Sequence, residues 1–157
     1  MQISLQKPPI FDRCAKEFGI KETDVIWFTY GDCIYAPCKV MPPDYIIRHE
    51  EVHAEQQRHS EAGAREWWDR YFADKDFRMD QEAEAYGAQF KFMRTKKEYR
   101  DRNVQAKVLR QIGQNLSGKV YGHSIGLADA MKLVRAYADG TALNGIEDHL
   151  NEDREEI

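Results

Sequence analysis

The feature that most constrains the fold is the stretch "YIIRHEEVHAEQQRH", residues 45–59, which places two histidines four positions apart. It follows a Pro-Pro-Asp cluster at 42–44, and proline is favoured at the entrance of a helix. We therefore predict a helix over about 44–60. On such a helix, residues four apart point about 40° from each other. His49 and His53 are thus expected to share one face.

The remainder of the chain predicts further helices and one small sheet. Gly31-Asp32 stands between two apolar runs and predicts a tight β-hairpin turn. Prolines, glycines and apolar periodicity mark the other elements. The predicted helices cover residues 8–19, 64–73, 78–102, 103–116 and 127–140. The expected fold class is α+β, mainly helical, with a small antiparallel sheet before the helix that carries His49.

Composition and length indicate one ordinary globular domain. The chain has 157 residues, of which 42% are apolar and 32% are charged. We expect a single domain over residues 1–143. Residues 144–157 hold six acidic side chains and one arginine, and they predict a disordered acidic tail.

Cysteine usage and hydropathy bear on the compartment. The three cysteines are an odd number without a disulfide-framework spacing, which is typical of a reducing environment. The N-terminal residues lack the apolar segment of a signal peptide, and no apolar run has the length of a membrane span. The expectation is a cytoplasmic protein without a membrane partner.

The segment "HEEVH" fits the pattern H-E-x-x-H. Two imidazoles on one helix face can bind one Zn²⁺, and Glu50 lies about 100° round from His49, within reach of a metal-bound water. Glu50 is therefore the predicted general base. The alternative is a solvated helix, rich in Glu, Gln and Arg, that matches the pattern by chance. A third ligand decides between them.

Two carboxylates in "DQEAEAYGAQF", residues 80–90, are candidates for that third ligand. Helical geometry places Glu82 on the apolar stripe, whereas Glu84 points to the opposite face. An inward carboxylate is costly unless it is paired or bound to a metal. The predicted metal ligands are therefore His49, His53 and Glu82, with Zn²⁺ as the cofactor.

This arrangement resembles the gluzincins, zinc metallopeptidases whose third ligand is a glutamate on a second helix. "EAEAY", residues 82–86, is similar to their E-x-x-A-D or E-x-x-A-N box, which implies Glu82 as the ligand. It departs at Tyr86, because the Asp or Asn of the family supports a ligand histidine there. A tyrosine hydroxyl could serve instead.

A second resemblance is to small zincin-like proteins encoded by bacteriophages. It spans about residues 45–135 and is carried by H-E-x-V-H-x-x-Q and by "LSGKVYGHSIGLADAMKLV". It implies a minimal zincin fold in which an edge strand runs beside the cleft. Such a strand can pair with an extended peptide, and the early hairpin would supply it.

We therefore expect a zinc-dependent peptidase, which is a hydrolase that acts on a peptide or protein substrate. Glu50 would deprotonate a water molecule activated by the metal. The alternative is a zincin-fold, zinc-binding protein of phage origin that acts by binding a partner, for example as a virion component. A helical protein with a chance motif is the third hypothesis.

Two further points concern the surroundings of the predicted site. A zinc peptidase usually has a hydrogen-bond donor that stabilises the oxyanion. The candidates are Tyr71, Tyr86, Tyr121 and His123, and of these we favour His123. Residues 91–110 carry eight basic side chains against two acidic ones. The net charge of −4 and the lack of a nucleic-acid motif make nucleic acid an unexpected partner.

Overall fold

The computed structural model of the chain describes residues 1–142. The predicted α+β, mainly helical fold is confirmed. The strands are β1 (Gln2–Ser4), β2 (Phe28–Tyr30) and β3 (Cys33–Tyr35), and the helices are α1 (Phe11–Phe18), α2 (Asp44–His59), α3 (Gly63–Ala73), α4 (Lys75–Arg94), α5 (Arg102–Leu116) and α6 (Leu127–Asp139). The acidic tail predicted for 144–157, like the domain end predicted at 143, lies outside the described residues.

The sheet has the strand order β1-β3-β2. The predicted hairpin joins β2 to β3, and Gly31 enters its turn with a φ of 60°, a conformation that glycine adopts without steric cost. Strand β1 was not predicted, and it runs parallel to β3. The expectation of an antiparallel sheet is therefore wrong in this respect, because the sheet is mixed. Three largely exposed residues carry no recognisable strand pattern, so β1 is defined only by its pairing.

Helix α4 ends earlier than predicted. The sequence indicated one helix from about 78 to 102, but α4 begins at Lys75 and ends at Arg94. The backbone of Asp101 is extended, and its carboxylate accepts hydrogen bonds from the first N–H groups of α5. An N-capping residue starts a new helix and cannot lie inside one. The predicted continuation to 102 is therefore wrong.

Most of the buried apolar side chains of residues 1–142 form two clusters. One is aliphatic and lies between α4, α5 and α6, and it includes Phe90, Leu109, Ile112, Leu116 and Val134. The other is aromatic, lies between α1, β2 and α3, and includes Phe11, Phe28, Trp67, Trp68 and Tyr71. Helix α2 packs against β2, α3 and α4, so its inward face lies near both clusters. None of the described helices combines the length and apolarity needed to cross a bilayer.

Candidate metal centre

The inward faces of α2 and α4 bring three potential metal ligands together. Nε2 of His49 lies 3.1 Å from Nε2 of His53 and 3.3 Å from Oε2 of Glu82. Nε2 of His53 lies 3.5 Å from Oε1 of Glu82. Ligand atoms around a tetrahedral ion with bonds near 2.1 Å stand about 3.4 Å apart. The three side chains therefore form a triangle of the right size, and this buried group could bind a metal ion.

The two carboxylates of α4 lie on the faces that helical geometry predicted. Glu82 is 5% exposed and belongs to the group that could bind a metal ion, whereas Glu84 is exposed to solvent. The inward orientation predicted for Glu82 is confirmed.

The His53 ring is oriented by Gln56, one turn further along α2. Oε1 of Gln56 lies 2.8 Å from Nδ1 of His53. The amide nitrogen of Gln56 donates to the Gln81 carbonyl at 3.0 Å and to Glu84 Oε2 at 2.8 Å. Both of those partners are pure acceptors, which fixes the orientation of the amide. Nδ1 of His53 must then carry a proton, and its Nε2 lone pair points into the triangle.

His49 has an analogous partner on α4. Its Nδ1 lies 3.1 Å from Oε1 of Gln89, and its ring meets the Tyr86 ring edge-on with centroids 4.5 Å apart. Tyr86, the residue that departs from the gluzincin box, thus packs against the imidazole. The amide of Gln89 supplies the hydrogen-bond partner of His49 Nδ1.

Two facing imidazole lone pairs beside a carboxylate need a cation between them. In the metal-free protein a proton fills this role. Burial acts to lower the pKa of His53, but the charge of Glu82 and the hydrogen bond to it raise that pKa to about 9. Burial acts to raise the pKa of Glu82, whereas His53 and His49 hold it far below its usual value. A divalent ion between the two Nε2 atoms and the Glu82 carboxylate would displace the proton.

Tyr71 of α3 contacts Glu82, the third potential ligand. Its hydroxyl donates to Oε1 of Glu82 at 2.5 Å. Burial, reinforced by the charge of Glu82, raises the pKa of Tyr71 well above its usual value, so the phenol stays protonated. Its ring stacks on Trp67 at 4.9 Å. Tyr71, one of the candidate oxyanion donors, is therefore both a residue of the aromatic core and a hydrogen-bond donor to Glu82.

Glu50, the predicted base, is buried on the wall of the same cavity as the three potential ligands. The Thr29 hydroxyl of β2 lies 2.8 Å from its Oε2. Its carboxylate also contributes to the electrostatic field that raises the pKa of His53. Glu50 is thus restrained in the same cavity as the histidines without belonging to the triangle of potential ligands.

The cavity that contains these side chains has a volume of about 760 Å³. It lies between α2, α4, the end of α5 and the segment that leads into β2, and its wall includes Ile20, Val25, Trp27 and Val108. Among the proposed oxyanion donors, Tyr71, Tyr86 and Tyr121 line it. His123 is exposed, with Nδ1 2.9 Å from the Ser117 carbonyl, and does not line the cavity. The first choice of His123 is therefore wrong.

Strand β2 forms the edge of the sheet nearest the cavity, as the resemblance implied. However, the Thr29 carbonyl accepts hydrogen bonds from Nε2 of Gln57 and from Nε1 of Trp68, both at 2.9 Å. These two donors use both lone pairs of the oxygen. A peptide that paired with β2 would have to use other backbone groups of the strand.

No protein-family model, curated protein or solved structure matches this chain.

Several supporting side chains were not predicted for the roles that they have. Gln89 lies on the same inward stripe as Glu82, and an inward amide needs a hydrogen-bond partner, so a signal for it was present. The amide oxygen of Gln56 lies 2.8 Å from Nδ1 of His53 and restrains the ring. Thr29 and the Tyr71 hydroxyl had no local signal, because their partners lie on other elements.

Proposed function

We propose that the protein is a zinc-dependent peptidase that uses His49, His53 and Glu82 as ligands and Glu50 as general base. The observation that carries the proposal is the buried triangle of donor atoms, with both Nε2 lone pairs directed inward and a restrained carboxylate beside it. The donor set of two imidazoles and one carboxylate is the set that catalytic zinc commonly takes, and it leaves a fourth position open.

The chain's own residues would divide the work. A bound zinc ion would polarise the scissile carbonyl and lower the pKa of a water molecule. Glu50 accepts the proton of the attacking water and transfers it to the leaving amine. Thr29 restricts the rotation of the Glu50 carboxylate through its hydrogen bond to Oε2. The cavity between α2, α4 and α5 receives the peptide and excludes bulk water from the bond that is cleaved.

The decisive experiment compares Glu50→Gln with the wild type, with zinc content and peptide hydrolysis measured on the same preparations. Glutamine keeps the shape of the side chain and an oxygen for the Thr29 hydroxyl, but it cannot accept a proton. We expect a full zinc complement and a fall in turnover of about 10²- to 10⁴-fold. A mixture of fluorescence-quenched peptides serves as substrate.

Glu51→Gln is the matched control, because Glu51 is the adjacent residue on α2 and pairs with Arg48 on the surface. It should keep both zinc and turnover. Equal hydrolysis by Glu50→Gln and by the wild type would refute the catalytic role of Glu50. A fully zinc-loaded wild type that cleaves no peptide would favour the alternative, a zinc-binding protein that acts by binding a partner.

A further inference from the structure

We propose that Glu84 is a positioning residue of the metal centre, which acts through Gln56 on the tautomer of His53. The inference rests on the metal binding in the proposed function. Glu84 lies on the solvent-exposed side of α4. A carboxylate there would ordinarily need no role beyond solubility. Its contact with Gln56 sets it apart from the other exposed carboxylates of that surface.

The chain of contacts has three links from solvent to the triangle. Glu84 Oε2 accepts from Nε2 of Gln56 at 2.8 Å, and Gln56 Oε1 lies 2.8 Å from Nδ1 of His53. Nε2 of His53 then faces His49 and Glu82. The contacts of Glu84 with Gln56 and of Gln56 with His53 are both at hydrogen-bond distance. The orientation of the Gln56 amide therefore determines which nitrogen of His53 carries the proton.

The amide of Gln56 has two orientations, related by a half-turn, that occupy nearly the same volume. In the observed orientation its NH₂ group faces two acceptors, Glu84 and the Gln81 carbonyl. In the reverse orientation the amide oxygen would face these acceptors, and the NH₂ group would face Nδ1 of His53. The imidazole would then have to carry its proton on Nε2, the atom directed at the metal position, and could not act as a ligand there.

Glu84, together with the Gln81 carbonyl, therefore favours the amide orientation that leaves Nε2 of His53 free to bind a metal. Carboxylates often orient ligand histidines by direct contact, and losing such a partner typically costs 10- to 100-fold in metal affinity. Here the carboxylate of Glu84 acts indirectly, because the neutral amide of Gln56 lies between it and the His53 ring. Because the amide is neutral, it adds no further negative charge to a site that already holds Glu82 and Glu50.

The test is the zinc dissociation constant, measured by competition with a chromophoric chelator. Glu84→Lys replaces the acceptor with a donor that favours the reverse orientation of Gln56, and we expect zinc affinity to fall by about 10- to 100-fold. Glu84→Gln can still accept from Gln56 through its own amide oxygen and should restore affinity to within about threefold of the wild type, on the same argument. Glu51→Lys is the control, because it makes the same change of charge at an exposed carboxylate of α2 that pairs with Arg48 instead.

A second measurement separates positioning from damage to the fold. The metal-free forms of all three variants should remain folded and unfold cooperatively in denaturant, because Glu84 and Glu51 both reach solvent. Nitrogen-15 NMR of the zinc-loaded wild type and of Glu84→Gln should show the ring proton of His53 on Nδ1. Equal zinc affinity in Glu84→Lys and Glu51→Lys would overturn the inference while leaving the proposed function intact. A wild type that binds no zinc would overturn both.

Discussion

The hydroxyl of Tyr71 offers a direct test of how the buried carboxylate is stabilised. Tyr71→Phe removes the hydroxyl and leaves the ring in place, because the ring is held by Trp67 and Trp68 at centroid distances of 4.9 Å each. The change therefore opens no large cavity. What is lost is the 2.5 Å hydrogen bond to Oε1 of Glu82.

The expected magnitude follows from the charge on the acceptor. A hydrogen bond to a buried charged group contributes about 1.5–3 kcal/mol, and its loss leaves the carboxylate underpaired. For a chain of this size each kcal/mol shifts the unfolding temperature by about 2–4 °C, so we expect the metal-free protein to melt about 3–12 °C lower. Because Glu82 is also a proposed ligand, zinc affinity should fall by about 10- to 100-fold.

The assay is thermal unfolding of the metal-free protein, together with chelator competition for zinc. Tyr99→Phe makes the same chemical change in the short 3₁₀ turn at Lys97–Tyr99, away from the site, and serves as the control. If Tyr71→Phe unfolds like Tyr99→Phe and binds zinc like the wild type, the hydroxyl does not support Glu82, and this part of the account is refuted.

Two further predictions concern packing and thiol chemistry. Gly87→Ala should lower the free energy of unfolding by about 1–3 kcal/mol, because its Cβ would stand 2.3 Å from Cβ of Tyr137 on α6. At Gly113 the added Cβ would stand 2.6 Å from Cγ of Met131 and 3.1 Å from Cδ1 of Leu127, which can move by side-chain rotation, so Gly113→Ala should cost less than Gly87→Ala; equal losses in urea unfolding would contradict this interpretation of the helix contacts. Burial raises the pKa of the Cys14 thiol to about 12, so native Cys14 should resist a disulfide reagent at pH 8 and react once the chain unfolds, as mass spectrometry would show. Labelling of Cys14 at the same rate in both states would contradict its burial.

Much of the helical framework could be predicted because its signals are local. The Pro-Pro-Asp entrance to α2, the spacing of His49 and His53, and the apolar stripe that carries Glu82 each lie within one helix. Periodicity decides which side of a helix turns inward, and it correctly separated Glu82 from Glu84. The three ligand candidates could therefore be chosen before their distances were known.

The parts that could not be predicted depend on partners distant in the chain. Strand β1 is extended because it pairs with β3. The Tyr71 hydroxyl of α3 donates to Glu82 on α4. His123 was expected near the site from its glycine-flanked loop, but that loop turns its imidazole toward the Ser117 carbonyl. The position of a loop side chain is set by tertiary contacts, and no sequence period reports it.

The central claim is that one metal ion is bound by His49, His53 and Glu82. The most direct measurement is anomalous X-ray diffraction at the zinc absorption edge, on crystals of the zinc-saturated protein. We predict a single strong peak at about 2.0–2.2 Å from Nε2 of both histidines and from a carboxylate oxygen of Glu82. Zinc-saturated crystals with no anomalous peak between these three side chains would contradict the account.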